Sequence, residues 1–490
     1  MKEIIMFIRN AFLGTSLFAL TSTTALAAPA TADEAARLLA LFQTYIGAEP
    51  GVVTVEPAGD AYRATFDFAP FIAKASSDTF TGTITPYVMT LTDNENGTWS
   101  TSTDQAFAAD FVVPGIATVS YKMASIKGTA IFDETLAAFS TSRTDFEGIS
   151  ISQNTTVADQ PPQVSTTVAE SGYYASSAVA STVKGVDTTV EYALINYSQS
   201  MAIPTMPGAT PSDVQIAAAS YGATGALKGF EPDAFYKLIA WFVAHPSEAA
   251  IKADQAGLKA VLTDGMPFFQ NLDTTGAMEA VTIGTPVGVF AADRIGIAVT
   301  ANGLIADGLF REAITVSGLT VPEGVLPAWS AGLVPTDFGI DVTGSGFDAA
   351  APAAAFISAL DLTNPEPIDP AVKAQIMASF LPKGTVDITL APGSVTSDMY
   401  DLTYQGAMTA GPGGMPVGTA KVTMTGMDAV LAALQAGPPE VTGQMVPMLG
   451  MAKGMAAPGE NGALVWDIDA STPGTLLVNG VDLMGMMGGQ

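Results

Sequence analysis

The side chains that could do chemistry in this chain are few in kind. There is one histidine, His245, and no cysteine. A Ser-His-Asp triad would have to use His245, and a site built from several histidines or from thiolates cannot form within one chain. His245 stands before Pro246 at the end of a helical pattern. A ring there can bond the last carbonyls and meet the negative end of the helix dipole, so its expected role is structural.

Carboxylates are plentiful: Asp and Glu number 47. Asp341, Asp348, Asp467 and Asp469 are candidates for the paired acids of a glycosidase-type hydrolase. At this acid density such pairs also arise by chance. Asp93-Asn94-Glu95-Asn96-Gly97 has a superficial likeness to a calcium loop. It lacks the alternating ligands and the twelfth-position Glu of an EF-hand, and Asn96-Gly97 reads as a hairpin turn. No Gly-rich phosphate loop follows a strand and opens a helix. Among 21 methionines, Met445, Met448, Met451 and Met455 recur at helical spacing, and Met484, Met486 and Met487 cluster near the end. Thioethers bind Cu(I), but they more often fill irregular cores or adaptable apolar surfaces, which is the expectation here. No catalytic residue, metal ligand or cofactor is assigned.

The elements that must position these groups are mostly strands. Thr31-Ala32-Asp33-Glu34 is a capping box, and Leu38, Leu39, Phe42 and Ile46 give a helix from Ala32 to Ile46 stopped by Gly47. Val53 and Val55, then Tyr62, Ala64, Phe66 and Phe68, alternate with polar residues. Thr79 to Thr92, Ile116 to Lys127, Thr129 to Phe132, Ile149 to Ser152 and Val164 to Ser200 have strand composition. Later alternations are Ile295, Ile297 and Val299; Ile314 and Val316; Val386, Ile388 and Leu390; and Leu464, Trp466 and Ile468. Leu319 and Val321 run out of phase with Ile314 and Val316, which predicts a bulge at Gly318. Helices are predicted over 349–360 and 370–381, separated by Asn364-Pro365-Glu366-Pro367.

A helical hairpin interrupts the strands. Phe235, Leu238, Ile239 and Phe242 form one stripe after Pro232, with Trp241 beside it. Ser247 caps a second helix carrying Ile251, Leu258, Val261 and Leu262, closed by Gly265. Such a stripe must be covered. The protein's own sheet is the simpler cover; a ligand or partner contacting Phe235, Leu238, Ile239, Trp241 and Phe242 is the functional alternative.

The N-terminus reads as an export signal. Lys2 and Arg9 are basic, Ala11 to Leu20 is apolar, and Ala25-Leu26-Ala27 is a cleavage triplet. That apolar stretch is too short to span a bilayer, and no later stretch reads as a transmembrane helix. The net charge is −28. Removing residues 1–27, with Lys2, Arg9 and Glu3, takes away +1 and leaves −29. Such a chain repels nucleic acid and anionic headgroups.

The leader, the Thr/Ser-rich strands and the closing Ala463-Leu464-Val465-Trp466-Asp467-Ile468 followed by Leu477-Val478-Asn479-Gly480 resemble a family of exported Gram-negative envelope proteins defined only as a domain of unknown function. The resemblance implies export and supplies no catalytic residues.

The expected fold is mainly β, or α+β: large curved antiparallel sheets with a minority of helices. Phe146-Glu147-Gly148-Ile149-Ser150-Ile151 and Val316-Ser317-Gly318-Leu319-Thr320-Val321 hint at a duplicated β unit. A membrane β-barrel competes, and the several helices, the low aromatic fraction and the Gly488-Gly489-Gln490 ending argue against it. The expected organisation is a signal peptide at 1–27, a β-rich part at 28–228, the hairpin at 229–270 and a β-rich part with helices at 271–490. The expected function is that of a non-enzymatic periplasmic envelope protein binding lipid or another apolar ligand. An assembly factor acting through envelope protein partners is the alternative, and a carboxylate-only hydrolase ranks behind both.

Overall fold

A computed structural model describes residues 29–75, 80–156, 163–203, 212–364, 368–483 and 485. The predicted leader, Pro365-Glu366-Pro367 and Met484, Met486 and Met487 lie outside these residues. Strand makes up 51% of the chain against 24% helix, and the strand pairings are antiparallel, so the protein is mainly β. It divides into two compact units. Unit 1 is Met1–Leu272 with Ile357–Asp369, and unit 2 is Asp273–Phe356 with Pro370–Gln490.

Unit 1 opens with α1 (Ala32–Ile46), β1 (Val53–Ala58), β2 (Ala61–Phe66), α2 (Ala69–Ala75), β3 (Thr81–Ile84) and β4 (Tyr87–Asp93). Six long strands follow: β5 (Thr98–Val113), β6 (Ala117–Asp133), β7 (Ala138–Thr155), β8 (Gln163–Ala180), β9 (Val186–Ile203) and β10 (Ser212–Phe230). The ladder runs β1–β2–β4–β5–β6–β7–β8–β9–β10, with β3 also on β5. Asn96-Gly97 makes the β4–β5 hairpin, with Asp93 opposite Trp99.

The long strands have 16 to 19 residues each, where 3 to 10 is usual. The pieces predicted separately at 116–127 and 129–132 are one strand, β6. Irregularities let such strands continue while twisting. Gly148 in β7 has φ +61, and a Cβ on it would stand 2.8 Å from the Ala124 Cβ. The apolar cluster on these strands joins Met123, Ile126, Phe146, Ile149, Ala169 and Leu194, with Tyr192, Tyr197 and Tyr221 packed against it. Burial pushes the Tyr192 phenol up to about 12.

Helix α1 forms as its capping box predicts: Thr31 Oγ1 accepts from the Glu34 amide at 3.2 Å. Its stripe of Ala35, Leu38, Phe42 and Ile46 is buried against Val53, Tyr62, Leu91, Trp99 and Phe132. Burying three such large side chains contributes about 5–9 kcal/mol of gross transfer energy, so the strand-to-helix contact anchors this end of the sheet. A polar clasp fixes its orientation. Arg37 grips Glu134 with Nη1 at 2.9 Å and Nη2 at 2.6 Å, and Trp99 Nε1 donates to the same carboxylate at 2.6 Å. The Arg37 guanidinium, helped by the Trp99 N–H, holds Glu134 below the usual carboxylate range. A depressed carboxylate stabilises the fold at neutral pH, and that stabilisation is lost as pH falls through its folded pKa. Glu134→Gln should therefore cost about 1–2 kcal/mol at neutral pH and almost nothing once acid has protonated the wild-type carboxylate. Urea unfolding at both pH values measures this, and an equal loss at both would contradict it.

The helical hairpin belongs to unit 1. It comprises α3 (Pro232–Ala244), α4 (Glu248–Ala253) and α5 (Gln255–Gly265). The second predicted helix is thus two. Ser247 caps α4 through Oγ, 3.2 Å from the Ala250 amide. The chain breaks at Asp254 and restarts because its carboxylate caps α5, accepting from the Gly257 amide at 3.0 Å.

Unit 2 contains β11 (Asn271–Thr285), which starts two residues before it, then β12 (Gly288–Asn302), β13 (Gly308–Ser317) and β14 (Asp337–Phe347). Helices α6 (Ala350–Ala359), whose last three residues belong to unit 1, and α7 (Pro370–Phe380) come next, then β15 (Val386–Thr396), β16 (Asp401–Ala410) and β17 (Val417–Thr425). The chain closes with α8 (Met427–Ala436), α9 (Pro439–Thr442), α10 (Met445–Met455), β18 (Ala457–Pro458), β19 (Leu464–Asp469), β20 (Leu477–Val478) and β21 (Val481–Asp482). The ladder runs β12–β13–β14–β15–β16–β17–β19–β20–β21. The side chains of Thr274 and Thr300 tie β11 to β12. Gly318 follows β13 at φ +63; Val316 stands opposite Phe338 but the Leu319 amide donates to the Thr336 carbonyl, so two residues there oppose one on the neighbouring strand, which is the predicted bulge.

Candidate functional site

His245 is held by its own helix. Nδ1 donates to the Trp241 carbonyl at 2.7 Å, and Nε2 lies 3.2 Å from Asp254 Oδ2. The ring stacks on the Trp241 indole at 4.1 Å. Trp241 Nε1 donates to the same Asp254 oxygen at 3.2 Å. Asp254 therefore links the two rings and caps α5 at once. No serine hydroxyl is bonded to His245 among the described residues, so this cluster has no nucleophile to activate.

The stripe on α3 lands among groups of its own unit. Trp241 is buried, and Phe235, Leu238, Ile239 and Phe242 are half-buried. Phe235 packs 5.8 Å from Phe230 at the end of β10. Tyr236 packs 4.6 Å from Tyr45 of α1, and Phe242 meets Trp241 edge-on at 5.2 Å. Helix α3 thus packs on α1 and α5, and of its stripe Phe235 reaches Phe230 of the sheet.

The four carboxylates named above separate. Asp341 takes both nitrogens of the Arg311 fork at 2.9 and 2.8 Å, and Asp348 accepts from the Ala351 amide at the start of α6. Asp467 and Asp469 share one side of β19 and line an open trough of about 930 Å³ with Thr389, Gln405, Thr419 and Lys421. The Ser471 hydroxyl and amide hold Asp469 below the usual range, so it stays ionised near neutrality. Asp467 stands 3.9 Å from Lys421 Nζ. An ionised Asp469 cannot serve as the proton donor a two-carboxylate hydrolase needs.

The opposite side of this sheet is apolar. Opposed residues share a face, so the ladder can be followed across it. One row is Ile295, Val316, Phe338, Val395, Leu402, Met424 and Leu464, seven strands without a polar side chain. A parallel row holds Ile297, Ile314 and Ile340. Another holds Ala301, Phe310, Gly344, Ile388 and Met408. The ion pairs Arg294–Glu279, Arg311–Asp341 and Lys421–Asp467 project from the other side.

Helices cover one end of the apolar side. Met427, Val430 and Leu434 of α8, with Val446 and Leu449 of α10, pack on Leu402, Val422, Met424 and Trp466. Toward β12 and β13 the side is open. Ile297 is 46% exposed, Phe310 47%, Ile340 45% and Met408 43%. Isolated exposed hydrophobics are ordinary, but these four lie on one face of a single sheet, on β12, β13, β14 and β16, which makes that face a candidate interaction surface.

No family model, no curated protein and no solved structure matches this chain.

The methionine run on α10 is divided: Met445, Met448 and Met451 face outward and Met455 packs on the core. Met448 is 65% exposed and Met451 63%, while Val446 and Leu449 on the inner side pack into the core. Among the described residues no cluster of His, Cys, Asp and Glu could hold a metal ion, and no helix is long and apolar enough to cross a membrane. Sequence reasoning missed Phe338, Ile340 and Val342 on β14 and Leu402 to Met408 on β16. Their alternation was present as a signal, diluted by Gly339, Gly344 and Gly406.

Proposed function

We propose that this is an exported, non-enzymatic envelope protein that binds an apolar ligand such as a lipid acyl chain on the open apolar side of unit 2. The observation that carries the reading is the exposed set Ile297, Phe310, Ile340 and Met408, on an apolar face that spans seven strands and that α8 and α10 cover at its far end. A two-sided sheet with the ion pairs Arg294–Glu279, Arg311–Asp341 and Lys421–Asp467 on one side leaves the other free to shelter hydrocarbon. Burial returns about 25 cal/mol per Å² of apolar surface. Export and a periplasmic location rest on the leader composition and on the resemblance of the closing segment to the envelope family.

Native mass spectrometry of protein purified from its own envelope tests both parts. The expected spectrum shows a chain lacking residues 1–27 and carrying lipid that dissociates on activation. A ligand-free chain would remove the binding reading, and a mass retaining the leader would remove the export reading.

A further inference from the structure

Resting on that binding reading, we infer that the ligand is an amphiphile with a cationic head, and that Glu312 selects it. Glu312 lies between two of the apolar rows, in the row Val299, Glu312 and Val342, while Asp293, the other acid in phase on β12, lies beyond the Ile295 row beside Gly318. It is exposed, opposite Val299 on β12 and Val342 on β14, with Phe310 and Ile314 two residues away on its own strand. Its carboxylate has no hydrogen-bond or ion-pair partner among the described residues. The nearest strand arginines, Arg294 and Arg311, point to the other side and are taken by Glu279 and Asp341.

An inward charge on an edge strand commonly guards against edge-to-edge pairing. That explanation does not apply, because β13 is paired on both sides, by β12 and β14. What remains is the effect of the charge on a ligand. An acyl chain laid over Ile297, Phe310 and Ile340 takes water away from Glu312. Desolvating an unpaired carboxylate is costly, and an ammonium group brought by the ligand removes that cost while a second anion raises it. Specificity then comes from rejection of the wrong head as much as from attraction to the right one.

The test is calorimetric titration of the full chain with three probes below their micellar concentrations: dodecylammonium, dodecanoate and uncharged dodecyl maltoside. The expected result is that dodecylammonium binds about tenfold more tightly than dodecyl maltoside, and dodecanoate more weakly than both. Glu312→Gln should bring the ammonium and maltoside affinities together, weakening the first by loss of the charge pair and strengthening the second by removing the cost of desolvating the carboxylate. Glu323→Gln, which removes the same charge from a loop, should keep the preference and so separates a local effect from the field of the whole acidic chain. If all three probes bind equally, or if Glu312→Gln keeps the preference, the selection by Glu312 is overturned while the apolar site stands. Failure of every probe to bind would overturn the site itself.

Discussion

Trp241→Ala is expected to destabilise unit 1 by about 3–5 kcal/mol, the range for removing a large buried aromatic side chain. Trp241 is 9% exposed. Its ring stacks on His245, its edge meets Phe242 and its N–H serves Asp254. Removing it opens a cavity and takes a donor from the carboxylate that caps α5. Trp241→Phe should recover much of the packing but not the hydrogen bond, and so fall between the two. Urea unfolding followed by circular dichroism measures both losses. A Trp241→Ala loss below about 1 kcal/mol would fall far outside that packing range and return Trp241 to the list of ligand contacts.

That expectation marks where the sequence was informative. Phe235, Leu238, Ile239 and Phe242 follow helical spacing, and the helix they predict is α3. Their surroundings could not be read, because Tyr45 and Phe230 are brought to α3 by non-local folding. The same limit governs the strands. Ile295, Ile297 and Val299, or Val386, Ile388 and Leu390, reveal one apolar side each from period-two alternation. Which strands adjoin and in what register is a property of the ladder. Only the register shows that Ile297, Ile314 and Ile340 form one row and that Glu312 sits among them. The acid in the apolar phase, Phe310-x-Glu312-x-Ile314-x-Val316, was visible in the sequence, but its meaning was not. The long strands of unit 1 were fragmented in the reading because Gly128 and Lys127 interrupt strand composition, and pairing on both sides overrides that local preference. Local signals fared best where the chemistry is local: the Thr31 cap, the Asn96-Gly97 hairpin and the slip at Gly318.

The open apolar side of unit 2 is expected to bind hydrocarbon. Phe310 and Ile340 are nearly half exposed on central strands, so replacing both with Asp should hold stability within about 1 kcal/mol of wild type, two surface changes together. The charges should nevertheless exclude hydrocarbon from that surface, since covering them means desolvating unpaired carboxylates. The decisive measurement is calorimetric titration of dodecyl maltoside, below its micellar concentration, into wild type and into the Phe310→Asp, Ile340→Asp double variant, with thermal melting of both. Saturable binding to the wild type is expected, weakened at least about tenfold in a double variant that melts normally. Equal affinity in the two proteins would contradict it.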